Sequence, residues 1–199
     1  MLLFVILATC IIANGYQTME PLNFGILPGS GIDHTFYDTF KNKLKTDIHS
    51  PFGTTITNMN YCLFQKIPPN TILVGHSFGG FLALLYCVRE TLYSESNIIG
   101  CVLINSHFNE RIKMPYPGIR LQSVEQPTLV LLGRKDNKLP IQKAMDDYKV
   151  MTELSELYPK NKEFVVSDAT HTSIFTDPDE MDLAIRNIEC FVQNNIKTY

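Results

Sequence analysis

From about residue 22 onward, short apolar runs of strand length alternate with longer stretches in which apolar side chains recur every three or four positions. Runs of the first kind suit strands buried on both faces, and stretches of the second kind suit helices with one apolar face. Their alternation predicts an α/β domain: a three-layer α/β/α sandwich with a mostly parallel sheet. The strand candidates are Asn23 to Leu27, a weak one near Thr46 to His49, Thr71 to Gly75, Ile98 to Asn105, Thr128 to Leu132 and Glu163 to Ser167.

Three helical stripes stand out between and after them. Phe81, Leu84, Leu85, Val88 and Leu92 fall on one face of a helix from about Gly79 to Tyr93. Ile141, Ala144, Met145, Tyr148, Met151 and Leu154 share a face just after Pro140, a residue suited to a first helical turn. The last helix opens at Thr176-Asp177-Pro178, with Glu180 three residues after the candidate cap Asp177, and presents Met181, Ala184, Ile185, Ile188 and Phe191 to the core. These stripes are packing surfaces. No repeat or linker divides the 199 residues, and Pro68-Pro69-Asn70 reads as the turn feeding the third strand, so residues 16–199 form one domain.

The N-terminus is open to two readings. Met1 to Ala13 carries no charge, is too short to cross a bilayer, and has the length of a signal-peptide apolar region, with Ala13 and Gly15 suited to cleavage after residue 15. No Lys or Arg precedes the run and the chain has no N-x-S/T acceptor, which favours a buried first strand instead. A lipoprotein signal ending at Cys10 is weaker, because Thr9 is a poor residue before a modified Cys. The first reading places the protein outside the cytoplasm or against a lipid surface; the second leaves it cytoplasmic.

Composition narrows the classes of partner. Apolar residues make up 45% and charged residues 19%, as in soluble globular domains. Seventeen basic and twenty acidic side chains leave a formal charge of −3 with no basic stripe, which argues against nucleic acid. Cysteines 10, 62, 87, 101 and 190 lack CxxC or CxxH spacing, so neither a zinc site nor a disulfide framework is indicated. Cys87 and Cys101 lie inside apolar runs, where a thiol packs as a small hydrophobe.

The chemistry concentrates in Thr71-Ile-Leu-Val-Gly75-His76-Ser77-Phe78-Gly79-Gly80, a buried strand that runs through G-x-S-x-G into an amphipathic helix. The five-residue pattern alone arises by chance on the order of once in twenty chains of this length. Its position between strand and helix gives it weight. A sharp turn there lifts the serine hydroxyl above the C-terminal edge of the sheet, flanking glycines relieve the crowding, and the helix N-terminus favours negative charge.

In that context the segment resembles the nucleophile elbow of the α/β-hydrolase family, and the resemblance extends from Asn23 to the C-terminal helix. It implies a triad in the chain order nucleophile, acid, base, each near the C-terminal end of a strand. Ser77 is then the nucleophile. Arg134-Lys135-Asp136, just past the strand ending near Gly133, looks like the acid loop and marks Asp136. His171, four residues beyond the last strand, is the only one of five histidines that follows it and takes the place of the base. Asp168 is the alternative acid, awkwardly placed three residues before His171. His76 is expected to turn its side chain away, and His34, His49 and His107 have no assigned role.

The same resemblance implies an oxyanion hole from two backbone N–H groups. Phe78, after the nucleophile, supplies one. The loop Gly25-Ile-Leu-Pro28-Gly29-Ser30-Gly31 is similar to the family's loop after an early strand, and the alignment makes the Ser30 amide the second donor, with its hydroxyl a possible third. Between Ser106 and Pro127 only about 22 residues are available where many relatives insert a cap, so the lid is minimal. His107 to Gly118 mixes aromatic, apolar and basic groups and suits either the mouth of an acyl pocket or a surface loop.

The expected function is hydrolysis of a small-molecule carboxylic ester through an acyl-Ser77 intermediate, with no metal and no cofactor. A thioesterase, a lipase or a small peptidase uses the same triad. A non-catalytic binding module that keeps the fold is the alternative of a different class. Dehalogenase and epoxide-hydrolase chemistry is disfavoured, since such relatives carry Asp where this chain has Ser77.

Overall fold

The computed structural model describes residues 20–62, 65–93, 97–106, 124–139, 141–146 and 162–196. The segments 1–15 and 107–118, and the part of the second helical stripe beyond residue 146, lie outside the described residues. Among the described residues, no helix is long and apolar enough to cross a membrane.

Six strands form one all-parallel sheet: β1 (Leu22–Leu27), β2 (Thr54–Asn58), β3 (Thr71–His76), β4 (Ile98–Ile104), β5 (Thr128–Gly133) and β6 (Lys162–Ser167), in the spatial order β2-β1-β3-β4-β5-β6. A 3-10 turn (His34–Tyr37) leads into α1 (Asp38–Asp47); α2 (Phe78–Tyr93) follows β3, and α3 (Ser173–Thr176) and α4 (Pro178–Asn195) follow β6. Residues 141–146 are also helical.

Strand periodicity divides the core into two layers. Ile72, Val74, Val102, Ile104, Leu129 and Leu131 point to one face, where they meet Phe40 and Leu44 of α1 and the apolar stripe of α4. Leu73, Cys101, Leu103, Val130 and Leu132 point to the other, against α2 and Ala144. Adjacent residues on a strand face opposite ways, so continuous apolar runs are needed to fill both layers. The result is the expected three-layer sandwich.

Two expectations are corrected. Thr46 to His49 is not a strand: Thr46 and Asp47 end α1, and the strand is Thr54–Asn58. In α1 only Phe40 and Leu44 are buried, and the eight other residues hide the helical period. β2 lies at the sheet edge, where Thr55 and Thr57 hydroxyls donate to Asn23 Oδ1 (3.0 and 2.9 Å) and Ile56 is its single apolar side chain against the core. Met145 is not in the core either; Ala144 is buried, whereas Met145 is 37% exposed. The final helix is as expected, with Asp177 Oδ1 accepting from the Asp179 and Glu180 amides and all five stripe residues buried.

The strand order also positions the site. The chain moves outward from β1 to β2, then returns to β3 on β1's other side and continues to β6. The loops after β1 and β3 therefore diverge at their carboxyl ends, the crevice in which open parallel sheets bind ligands.

Candidate active site

Ser77 sits at that crevice with a left-handed backbone, φ +52°. Its amide donates to the Ile104 carbonyl of the neighbouring strand (2.9 Å), and its own carbonyl accepts from the Gly80 amide (3.0 Å). The turn is too tight for side chains on either side. A Cβ on Gly79 would lie 2.2 Å from Leu27 O, and one on Gly75 would lie 2.4 Å from Gly79 O. Phe78 opens α2, so its amide has no partner within the helix and is available to an anion above it.

Asp136 and His171 meet directly. Asp136 follows β5, in a loop joined to the one after β6 by Arg134 N–H to Ser167 O (2.8 Å) and Lys135 N–H to Ala169 O (3.0 Å). His171 Nδ1 lies 2.7 Å from Asp136 Oδ2, while the Lys138 and Leu139 amides donate to Oδ1 at 2.8 and 3.0 Å. Burial pushes the Asp136 carboxyl up, but the hydrogen bonds from His171, Lys138 and Leu139 outweigh it and hold the group below its ordinary 3.8. An ionised carboxylate only accepts, so Nδ1 of His171 carries the proton and Nε2 of the neutral ring is left as a base.

Asp168, the alternative acid, is exposed and pairs with Arg134 (3.1 Å) and Lys135 (3.5 Å). The two cations beside Asp136 in sequence thus serve Asp168 in space. No hydrogen bond joins Ser77 Oγ to the His171 ring among the described residues; the contact between the two loops is made one residue earlier, where His76 Nε2 lies 2.9 Å from the His171 carbonyl and the two rings are 4.9 Å apart.

The loop after β1 covers the elbow. A Cβ on Gly29 would lie 3.4 Å from Ser77 Cβ, which places the Pro28–Gly31 turn over the serine. Tyr61 donates its hydroxyl to Gly29 O (2.8 Å), and Tyr37 Oη accepts from Gly29 N–H (2.9 Å). Ser30 is exposed at the turn, and its amide donates to no backbone carbonyl among the described residues. Around the opening, the exposed Phe78 ring packs edge-on against Tyr61 (5.8 Å) and next to Phe81 (6.0 Å), giving an apolar aromatic rim beside Ser77.

Three buried residues of the site were not anticipated. His76 turns inward between Tyr37 and the His171 carbonyl rather than away. Tyr37 reaches it from the 3-10 turn, for which the apolar pattern carries no signal. Asn105 leaves β4 at φ +44°, and its Nδ2 donates to Thr170 O (2.9 Å) and His171 O (3.0 Å) while Oδ1 accepts from Gly133 N–H (2.7 Å). An Asn at a strand end, a residue type tolerant of the left-handed region, is the one signal that marks it in sequence.

No protein-family model and no curated protein matches the sequence. Solved structures do match in fold. A bacterial membrane phospholipase A described as a virulence factor is 14% identical, covers 89% of this chain and 80% of its own, and superposes with a TM-score of 0.61. A peroxisomal α/β-hydrolase of Saccharomyces cerevisiae, also 14% identical, covers 92% and 80% with a TM-score of 0.58. ClbQ of the colibactin NRPS/PKS pathway, 10% identical, covers 87% and 98% with a TM-score of 0.62. With its parallel six-stranded sheet and a serine elbow at the β1/β3 crevice, this chain has the α/β-hydrolase fold.

Proposed function

We propose that the protein is a serine hydrolase that cleaves a small carboxylic ester through an acyl-Ser77 intermediate. The observation that carries this reading is the buried Asp136–His171 hydrogen bond, on a loop that His76 ties to the elbow where Ser77 is held at positive φ between β3 and α2. A serine hydroxyl is a poor nucleophile until a base accepts its proton. In the reading proposed, Ser77 Oγ attacks the ester carbonyl while its proton passes to His171 Nε2. Asp136 keeps the proton on Nδ1 and stabilises the imidazolium. The negative charge on the carbonyl oxygen is taken by the Phe78 and Ser30 amides. Collapse expels the alcohol, which leaves with the proton from His171. Water then attacks acyl-Ser77, gives its proton to the same nitrogen, and releases the acid as the proton returns to Ser77.

The aromatic rim of Tyr61, Phe78 and Phe81 supports a substrate with an apolar group beside the scissile carbonyl. Solved proteins of this fold include a phospholipase A and a polyneuridine aldehyde esterase, in keeping with acyl chemistry on esters. Burst kinetics on p-nitrophenyl esters of graded acyl length test the proposal. A burst stoichiometric with enzyme, absent in Ser77→Ala, is expected. A folded wild-type protein that turns over none of the series would leave a binding module as the better description.

A further inference from the structure

We propose that Tyr37 and His76 are positioning residues: a buried hydrogen-bonded chain through them ties the loop after β1, with the Ser30 amide, to the loop carrying His171, and so sets both against the acyl group on Ser77. The inference rests on the hydrolase reading above. It begins with two residues that the proposed reaction leaves unused, both almost wholly buried beside the nucleophile.

The contacts fix the direction of every hydrogen bond. The His171 carbonyl can only accept, so His76 Nε2, 2.9 Å away, must carry a hydrogen. A neutral imidazole has one donor and one acceptor, so Nδ1 accepts, and the group 2.9 Å from it is the Tyr37 hydroxyl. Tyr37 Oη therefore donates to His76 and uses a lone pair for Gly29 N–H at 2.9 Å. The chain runs from Gly29 N–H through Tyr37 and His76 to the carbonyl of the proposed base. Its neutral form is favoured at both members. Burial pushes His76 down to about 4, against the hydrogen bond to the His171 carbonyl and the Asp136 charge, which raise it, and with smaller help from the His171 and Lys138 charges; burial pushes Tyr37 up to about 12.

Both ends of the chain touch machinery. At one end Tyr37 occupies the Gly29 amide, so that amide is not free for an oxyanion, and the neighbouring Ser30 amide is the one the proposed reaction uses. At the other end His76 and Asn105 both donate to His171 O, fixing the backbone that carries the proposed base. The Tyr37 ring also packs edge-on against Phe175 (4.8 Å) and His76 (5.9 Å), so Tyr37→Phe removes the hydroxyl and keeps the packing.

Misplacement of a reacting group by an ångström lowers turnover by about 10²-fold, and loss of one link is a smaller displacement. Tyr37→Phe is therefore expected to lower kcat about 10- to 100-fold with KM within twofold of wild type. His76→Gln, which keeps a donor near the Nε2 position, should retain more activity than His76→Leu, and this pair carries the test if Tyr37→Phe does not fold. A second readout needs no turnover: long-range ¹H–¹⁵N spectra of the wild type and of Ser77→Ala at pH 7 should show His76 as the neutral Nε2–H tautomer. An Nδ1–H or doubly protonated His76, or a folded Tyr37→Phe with wild-type kcat, would overturn the chain alone. Absence of any turnover in a wild type that shows the expected tautomer would instead sink the hydrolase reading.

Discussion

Ser77 occupies a backbone region that costs a non-glycine residue about 1–3 kcal/mol, and the surrounding hydrogen bonds and glycine contacts hold it there. Asp136 is held as firmly, with each carboxylate oxygen engaged. Asp136→Asn would keep the shape and reverse the tautomer preference of His171, so kcat is expected to fall roughly 10⁴-fold in steady-state assays. Asp168→Asn, which loses only an exposed pairing with Arg134 and Lys135, should stay within about twofold of wild type. In sequence, the resemblance marked Asp136 by its place in the loop after β5 and set Asp168 aside as too close along the chain to His171; G-x-S-x-G marked Ser77, and the position after the last strand marked His171. Tyr37, His76 and Asn105 were not legible, because their partners lie far along the chain: 39 residues separate Tyr37 from His76, 95 separate His76 from His171, and 66 separate Asn105 from His171. Their roles depend on which strands become neighbours.

The elements that could be read from sequence are those whose apolar period has no competitor. β1, β3, β4 and β5 are nearly continuous buried runs, β6 carries the apolar stretch Phe164-Val165-Val166, and α2 and α4 each bury a regular stripe. α1 and β2 were misread together, since α1 buries two residues and the edge strand Thr54–Asn58 satisfies itself through hydroxyls. Pairing and packing decide those two elements. α4 offers a clean test of local control, because Asp177 Oδ1 accepts from both the Asp179 and Glu180 amides. Asp177→Ala should cost about 1 kcal/mol in urea-induced unfolding, with kcat unchanged. A loss near zero would mean that packing of Met181, Ala184 and Ile188 sets the helix start without its cap.

Between pH 6.5 and 4, stability should follow the buried imidazole of His76. The unfolded chain binds a proton at this residue as the pH falls below 6.5, whereas burial delays the same proton in the folded site until about pH 4. Acid therefore favours the unfolded chain throughout that window, by roughly 3 kcal/mol at its lower end. Asp136 acts at lower pH: its stabilisation is complete above 3.8 and is lost as the pH falls through its depressed folded value. Urea unfolding at a series of pH values should give a free energy that rises from pH 4 to 6.5, and His76→Gln should flatten the rise. A flat wild-type profile would contradict the buried neutral His76. The three-layer architecture was legible because alternate strand residues must fill two apolar layers; the β1/β3 crevice was not, because strand order has no local signature.

The most direct measurement is covalent labelling with a fluorophosphonate, followed by mass analysis of the modified peptide. The account predicts one label per chain on the peptide containing Ser77, lost in Ser77→Ala and slowed strongly in Asp136→Asn. A folded protein that takes up no label, or one labelled equally well without Ser77, would contradict a serine nucleophile at the β3–α2 elbow.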